Sequence, residues 1–249
     1  LLPVMDCGPV HIRAVIFDVY GTLLEVSPAP ADAAARWERL WHEHWGVSPR
    51  LSLHQFGAAC DAVIGREHAA ARARGIAWPE VCWPAVVLEV LPELAKLERE
   101  AREEFVFQQA CLWHTVRMSA AVAEALQALR DRGCLLGLAS NAQAYTVREL
   151  AEALATHGLG LDLFESELCF WSFEHGFSKP DPHVFQILTT RLAARGIGAE
   201  EVLMVGDRLE TDIEPARAAG WQTWHLDGTA QTSWAALVDR LRGQRSPSH

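Results

Sequence analysis

No two cysteines of this chain stand at CxxC spacing, and no internal repeat or low-complexity tract interrupts it. A run of roughly 18 apolar residues, the length a membrane-spanning helix needs, is also missing. Each absence removes a class of protein. The six cysteines, Cys7, Cys60, Cys82, Cys111, Cys134 and Cys169, are scattered through apolar or helical context, and read as reduced thiols rather than a disulfide framework. The first residues lack the basic stretch, apolar centre and small-residue cleavage site of a signal peptide. The expectation is a soluble, cytoplasmic protein with no membrane partner. Positive charge is scarce too: 22 Lys and Arg face 32 Asp and Glu, for a formal net charge of −10. That balance argues against nucleic acid as a partner. An anionic small-molecule substrate would have to be held by a few placed cations. Composition carries no signature of oligomeric state.

What is present suffices for a large core: 249 residues, 50% of them hydrophobic, fit one large domain or a core with an insert. After "AVIFDVYGTLL" the pattern turns helical. "ADAAARWERLWHEHW", "LHQFGAACDAVIGREHAAARARG" and "PELAKLEREAREEFVFQQA" carry apolar positions three and four residues apart. Pro28, Pro30, Pro49, Pro79, Pro84 and Pro92 mark the breaks. Residues 25–111 are therefore expected to form a helical insert without a strand, hinged to the rest at 25–30 and 111–115. From Trp113 onward strands such as "CLLGLASN", "EVLMVGD" and "WQTWHL" alternate with amphipathic helices, and "ELCFWSF" reads as one further short strand. Such alternation predicts an α/β fold, a doubly wound parallel sheet built from residues 1–24 and 112–249. Only the tail "GQRSPSH" reads as disordered.

Ligands of open α/β sheets bind beyond the carboxyl ends of the strands. The polar residues at those ends are Asp18 and Thr22 after the first strand, Ser140 and Asn141 after the second, and Asp207 and Asp212 after "VLMVG". Lys179, in "GFSKPDP", belongs to a loop that precedes a helix. Taken singly, such an aspartate is often a helix cap, a Ser-Asn pair a turn, and a lysine a solvated charge.

Taken in order, Asp18-x-x-Gly-Thr, Ser140-Asn141, Lys179-Pro180-Asp181-Pro182 and Gly206-Asp207 with Asp212 five residues on resemble the four motifs of the haloacid dehalogenase-like hydrolase superfamily. The resemblance implies a Rossmann-like core with the helical segment as cap. Asp18 would be the nucleophile, forming a covalent ester or acyl phosphate that water then hydrolyses. Thr22 and Ser140 would hydrogen-bond the transferred group, with Asn141 and Tyr20 close to substrate, and Lys179 would neutralise charge. Asp18, the Tyr20 carbonyl, Asp207 and Asp212 would hold or surround Mg²⁺, a cation that prefers oxygen ligands.

Tyr20 departs from the usual motif, which places a second aspartate there as general acid and base. Unperturbed tyrosine, with a pKa near ~10, is no substitute for it. The 2-haloacid dehalogenases resemble this chain at "DVYGT", and their halide leaves without a proton. "GDRLETD", by contrast, resembles the phosphatases. Dehalogenases also use a cap arginine to receive halide; His42 stands at the comparable place, with Arg36 and Arg39 nearby. The leading expectation is a Mg²⁺-dependent phosphatase acting on a small phosphorylated metabolite. A 2-haloacid dehalogenase and a binding protein with weakened chemistry are the alternatives. Trp37, Trp41 and Trp45, four residues apart, read as a packing stripe. His42, His44, His54 and His68 lie on separate helical stretches with no HExxH pattern, and surface or packing roles are expected for them. Tyr20 either packs at the junction of cap and core or touches substrate.

Overall fold

A computed structural model describes residues 11–243. Cys7 and all of the expected disordered tail except Gly243 lie outside the described residues. The remaining five cysteines are unpaired. No helix among the described residues is long and apolar enough to cross a membrane.

Five parallel strands form the central sheet in the order β5-β4-β1-β6-β7. They are β1 (Ala14–Phe17), β4 (Leu135–Ser140), β5 (Cys169–Trp171), β6 (Val202–Gly206) and β7 (Gln222–His225). Every residue of β1 and β6 is buried, as strands covered on both faces must be, which is why they read as unbroken apolar runs. Helices α5 (Ala120–Asp131), α6 (Ala144–Ala155), α8 (Pro182–Ala193), α9 (Glu214–Ala218) and α10 (Trp234–Arg242), with the single turn α7 (Ser172–His175), connect or follow these strands. One apolar cluster, around Phe17, Leu126 and Leu150, lies on one side of the sheet. A second, around Ile16, Phe185 and Leu188, lies on the other. The expected α/β sheet with helices around it is the observed fold.

The remaining helices, α1 (Ala33–Trp45), α2 (Leu53–Ala73), α3 (Trp83–Val90) and α4 (Arg99–Ala110), pack around a cluster of their own. Trp37 is its centre, stacked on Phe56 at 5.0 Å, with Trp41 edge-on to Phe105. The tryptophan spacing thus makes the expected packing stripe, with Trp37 and Trp41 both buried.

Two expectations need correcting. Residues 25–111 do contain a strand: β2 (Glu25–Pro28) pairs antiparallel with β3 (His114–Arg117), Glu25 opposite Arg117 and Pro28 opposite His114. All four β2 residues are exposed, so the strand lacks the apolar alternation that betrays a half-buried one. The two chain crossings are consequently one paired ribbon rather than two separate linkers. Pro84 does not break a helix. It sits in the first turn of α3, where its missing N–H costs no hydrogen bond.

Candidate active site

Asp18 follows β1 directly, and its N–H donates to Val205 O on β6 (3.0 Å), which fixes it at the carboxyl edge of the sheet. The chain then turns sharply. Gly21 has φ +80°, and a Cβ at that position would collide with Asp207 Oδ2; only glycine combines that backbone with so close an approach. The Asp207 carboxylate consequently lies over the turn that carries the Tyr20 and Gly21 backbone. After Asp207 the chain winds through a wide turn, Leu209–Ile213, that folds Asp212 back, and Arg208 N donates to Asp212 Oδ2 (3.1 Å). Gly206 leaves the space that the Asp212 carboxylate enters.

Lys179 stands between these acids. Its Nζ donates to Asp18 Oδ1 at 2.8 Å and to Asp212 Oδ1 at 2.6 Å, and only 3% of the residue is exposed. Asn141 holds the lysine's backbone from both sides: Asn141 Nδ2 donates to Lys179 O and Lys179 N donates to Asn141 Oδ1, each at 2.8 Å. The amide expected near substrate is thus engaged in placing Lys179. Ser140 ends β4 two residues beyond Leu138, the register partner of Phe17, which sets it at the same edge as Asp18.

Burial pushes the Asp18 carboxyl up to about 6; Lys179 opposes this and Asp212 adds to it. Asp207 is raised as well, by burial and then by Asp212. Burial alone would depress the Lys179 ammonium, but Asp18 and Asp212 outweigh it and hold the lysine above its ordinary range. Carboxylate oxygens of Asp18, Asp207 and Asp212 lie within 4.8 Å of one another, and one ammonium is too little to balance three such charges. Asp207 Oδ1, Thr22 Oγ1 and Ser140 Oγ are all buried without a hydrogen-bond partner. Orphaned buried polar atoms are rare unless a ligand completes them. An all-oxygen donor set, an unpartnered carboxylate oxygen and a glycine-made cradle fit a small hard cation such as Mg²⁺.

Tyr20 points elsewhere. Its hydroxyl donates to Glu149 on α6 and lies 2.9 Å from Thr146 Oγ1, and its ring meets His114 of β3 edge-on at 5.5 Å. Burial, then the Glu149 charge, raises its pKa far above that of free tyrosine. Of the two roles weighed for it, the packing one is what these contacts describe. Glu149, only 4% exposed, also has His114 Nε2 at 3.0 Å. Arg36 and Arg39 both pair with Asp32 on the surface of α1, and His42 is exposed.

Sequence reading missed Glu149, Thr146, Gln143, Ser172 and Glu80. No motif marks them, and each contributes through a partner dozens of positions away.

The haloacid dehalogenase-like hydrolase family matches residues 12–220. Among curated proteins, a ribulose-1,5-bisphosphate 5-phosphatase of Halopiger xanaduensis is 32% identical over 51% of this chain and 49% of its own length. A phosphoserine phosphatase of Thermus thermophilus is 35% identical over 39% of this chain and 36% of its own. The chain thus aligns with half or less of each curated relative. The structure of a 2-haloacid dehalogenase from Pseudomonas syringae superposes with a TM-score of 0.58 at 21% identity, covering 93% of this chain and 99% of that one; at that identity the likeness concerns the fold. With the profile spanning most of the sequence and its four motifs gathered at one sheet edge, the chain belongs to the haloacid dehalogenase-like hydrolases.

Proposed function

We propose that the protein is a Mg²⁺-dependent phosphohydrolase acting on a small phosphorylated metabolite, with Asp18 as nucleophile. The observation that carries this reading is the surplus of buried carboxylate at the sheet edge, with Asp207 Oδ1 unpartnered beside it. A metal-free dehalogenase needs its nucleophile and a lysine. A base that activates water on its ester intermediate accounts for one further acid and leaves the third without a role. The two curated phosphatases support the reading in sequence.

Electrostatics sets what each residue must do. A carboxylate brought to about 3 Å from a phosphate dianion meets a repulsion on the order of 11 kcal/mol at an effective dielectric of ~20. Asp18, Asp207 and the Tyr20 carbonyl would hold the cation, with Asp212 behind them. When bound, that cation screens the nucleophile from the phosphoryl oxygens and stabilises the charge that grows on them. Lys179 keeps Asp18 ionised and aims its second oxygen at phosphorus. The Asp18 oxygen forms the new bond as the bond from phosphorus to the leaving oxygen breaks, and the Thr22 and Ser140 hydroxyls donate to the transferred group. Water then attacks the aspartyl phosphate, releasing inorganic phosphate and restoring Asp18. The helical cap over residues 25–111 would exclude bulk water during both steps.

Phosphate release from a panel of phosphorylated metabolites, run beside chloride release from 2-chloropropionate, tests this. Phosphate release should appear with Mg²⁺ and vanish in excess chelator, and Asp207→Asn should abolish it. Chloride release that persists in chelator would instead identify a dehalogenase. Binding also has a readout independent of turnover. Mg²⁺ should raise Tm at pH 7.5 and raise it less at pH 5, because protonation of Asp18, with its pKa near about 6, competes with the cation.

A further inference from the structure

The segment that leads into α3 is bound to the core along its whole length. Trp78 O accepts from Ser178 N (2.9 Å), Pro79 forms an antiparallel bridge with Phe177, and Glu80 N donates to Gly176 O (3.0 Å). Past Glu80, the Gln143 amide takes over: its Nε2 donates to Val81 O (2.8 Å) and its Oε1 accepts from Trp83 N (2.8 Å). The Glu80 carboxylate is at the centre of this seam. Glu80 Oε2 accepts from the Ser172 hydroxyl at 2.7 Å, and Oε1 accepts from Gln143 Nε2 at 3.0 Å and from Val81 N at 2.9 Å.

The two core loops that meet at Glu80 are the ones that supply the site. Gln143 is three residues beyond Ser140, and it caps α6 on the same short loop as Asn141. Ser172 opens the segment that runs through Gly176 and Ser178 to Lys179. Its hydroxyl donates to Glu80 at 2.7 Å, with Ala142 O a longer second acceptor at 3.1 Å, and its oxygen accepts from Ala142 N (2.8 Å), so it ties one loop to the other. Asn141 completes the connection by clamping the Lys179 backbone. One carboxylate from the helical segment thus sits where the Ser140 loop and the Lys179 loop cross. Ser172, which is fully buried, and Gln143, 8% exposed, both donate to it there.

We propose that Glu80 is a positioning residue: seated by the helical segment, it holds the Ser140 and Lys179 loops in register, so that the site is complete only while that segment is docked on the core. The proposal rests on the phosphohydrolase reading for its kinetic consequence, though not for its structural one. Three donors hold the Glu80 carboxylate through both of its oxygens, which suits a fixed acceptor. Charge-assisted hydrogen bonds of this kind are about twice as strong as neutral ones, and a small displacement of reacting groups is enough to slow chemistry steeply.

Glu80→Ala and Glu80→Gln separate positioning from direct chemistry. With p-nitrophenyl phosphate and Mg²⁺, Glu80→Ala should lower kcat by about 10–100-fold while KM changes less than about 3-fold. Glu80→Gln should recover most of the rate, because its amide oxygen can still accept from Gln143 and its NH₂ can donate to Ser172. A glutamine variant as slow as the alanine variant would overturn positioning in favour of an acid or base role. Gln143→Ala combined with Glu80→Ala should be no slower than the worse single variant; additive losses would show that the two do not act through one another. Hydrogen exchange provides the readout free of substrate: the Ala142 and Trp83 amides should exchange at least about 10-fold faster in folded Glu80→Ala. Unchanged exchange at both amides would overturn the proposal even in an active enzyme. Faster exchange would uphold the loop-holding role even if the probe released no phosphate, a result that would count against the phosphohydrolase reading alone.

Discussion

Replacing Asp18 with asparagine should abolish phosphate release, by at least about 10³-fold, and yet leave the metal-free protein more stable at neutral pH. Both effects follow from one geometry. Asp18 is buried beside Asp212, and its carboxyl is pushed up to about 6 from the 3.8 of a free aspartate. A raised carboxyl means that the folded state holds its proton more tightly than the unfolded one. The group has no effect on stability below about pH 3, where both states are protonated. Its penalty grows as pH rises from about 4 to 6 and is complete above that, on the order of 3 kcal/mol. Asp18→Asn removes the penalty, so its Tm should exceed that of the parent by several degrees at pH 7.5 and match it at about pH 3. Lys179→Met should have the opposite sign. Taking the ammonium away leaves Asp18 and Asp212 buried without a cation, a loss of about 3–5 kcal/mol in pairs of this kind. Both variants should be inactive, and thermal melts at the two pH values tell them apart. A destabilised Asp18→Asn protein at pH 7.5 would mean that the Lys179 pairing outweighs burial and repulsion at the nucleophile.

An Asp18→Asn protein more stable than its parent would show stability given up for function, a common feature of sites that gather like charges. This part of the molecule is legible in the sequence for a separate reason. Asp18, Ser140 and Asp207 each stand next to an apolar strand, so position in the fold and chemistry are encoded within a few adjacent residues. The parallel sheet was legible for the same reason, since β1 and β6 are continuous apolar runs. Strand β2 was not, because all four of its residues face solvent and carry no pattern. Helix α3 was hidden by Pro84, which breaks a helix in its middle and suits its first turn. The Glu80 seam and the Tyr20 contacts were beyond reach for a different reason. Glu80 meets Gln143 63 positions away, and Tyr20 meets Glu149 129 positions away. Neither pair has a spacing or a motif: packing of the helical segment on the core brings the first together, and packing of α6 against the turn after β1 brings the second.

Leaving-group chemistry should show the consequence of Tyr20. A phosphohydrolase without the second aspartate should turn over aryl and acyl phosphates far faster than alkyl phosphates, since proton donation matters most for the poorest leaving groups and a placed acid contributes about 10²–10⁴. The phenol of Tyr20 is no replacement, because its proton is engaged with Glu149 and its pKa is raised. Tyr20→Phe should therefore leave the ratio of aryl to alkyl rates within about 3-fold of the parent, while costing about 1–3 kcal/mol by taking from buried Glu149 one of its two partners, the other being His114. Tyr20→Asp alone incurs that loss and adds one more carboxylate to those near the nucleophile, where like charges resist ionisation. Coupling it with Glu149→Gln removes the buried acid that loses the phenol. In that double variant alkyl-phosphate hydrolysis should rise by about 10-fold or more, with aryl-phosphate hydrolysis changed less. Circular dichroism serves as the folding control. A folded double variant with no selective gain on alkyl phosphates would place the proton source elsewhere, in bound water or the helical segment. A Tyr20→Phe protein that lost alkyl turnover selectively would return the phenol to the chemistry and overturn the packing role assigned to it here.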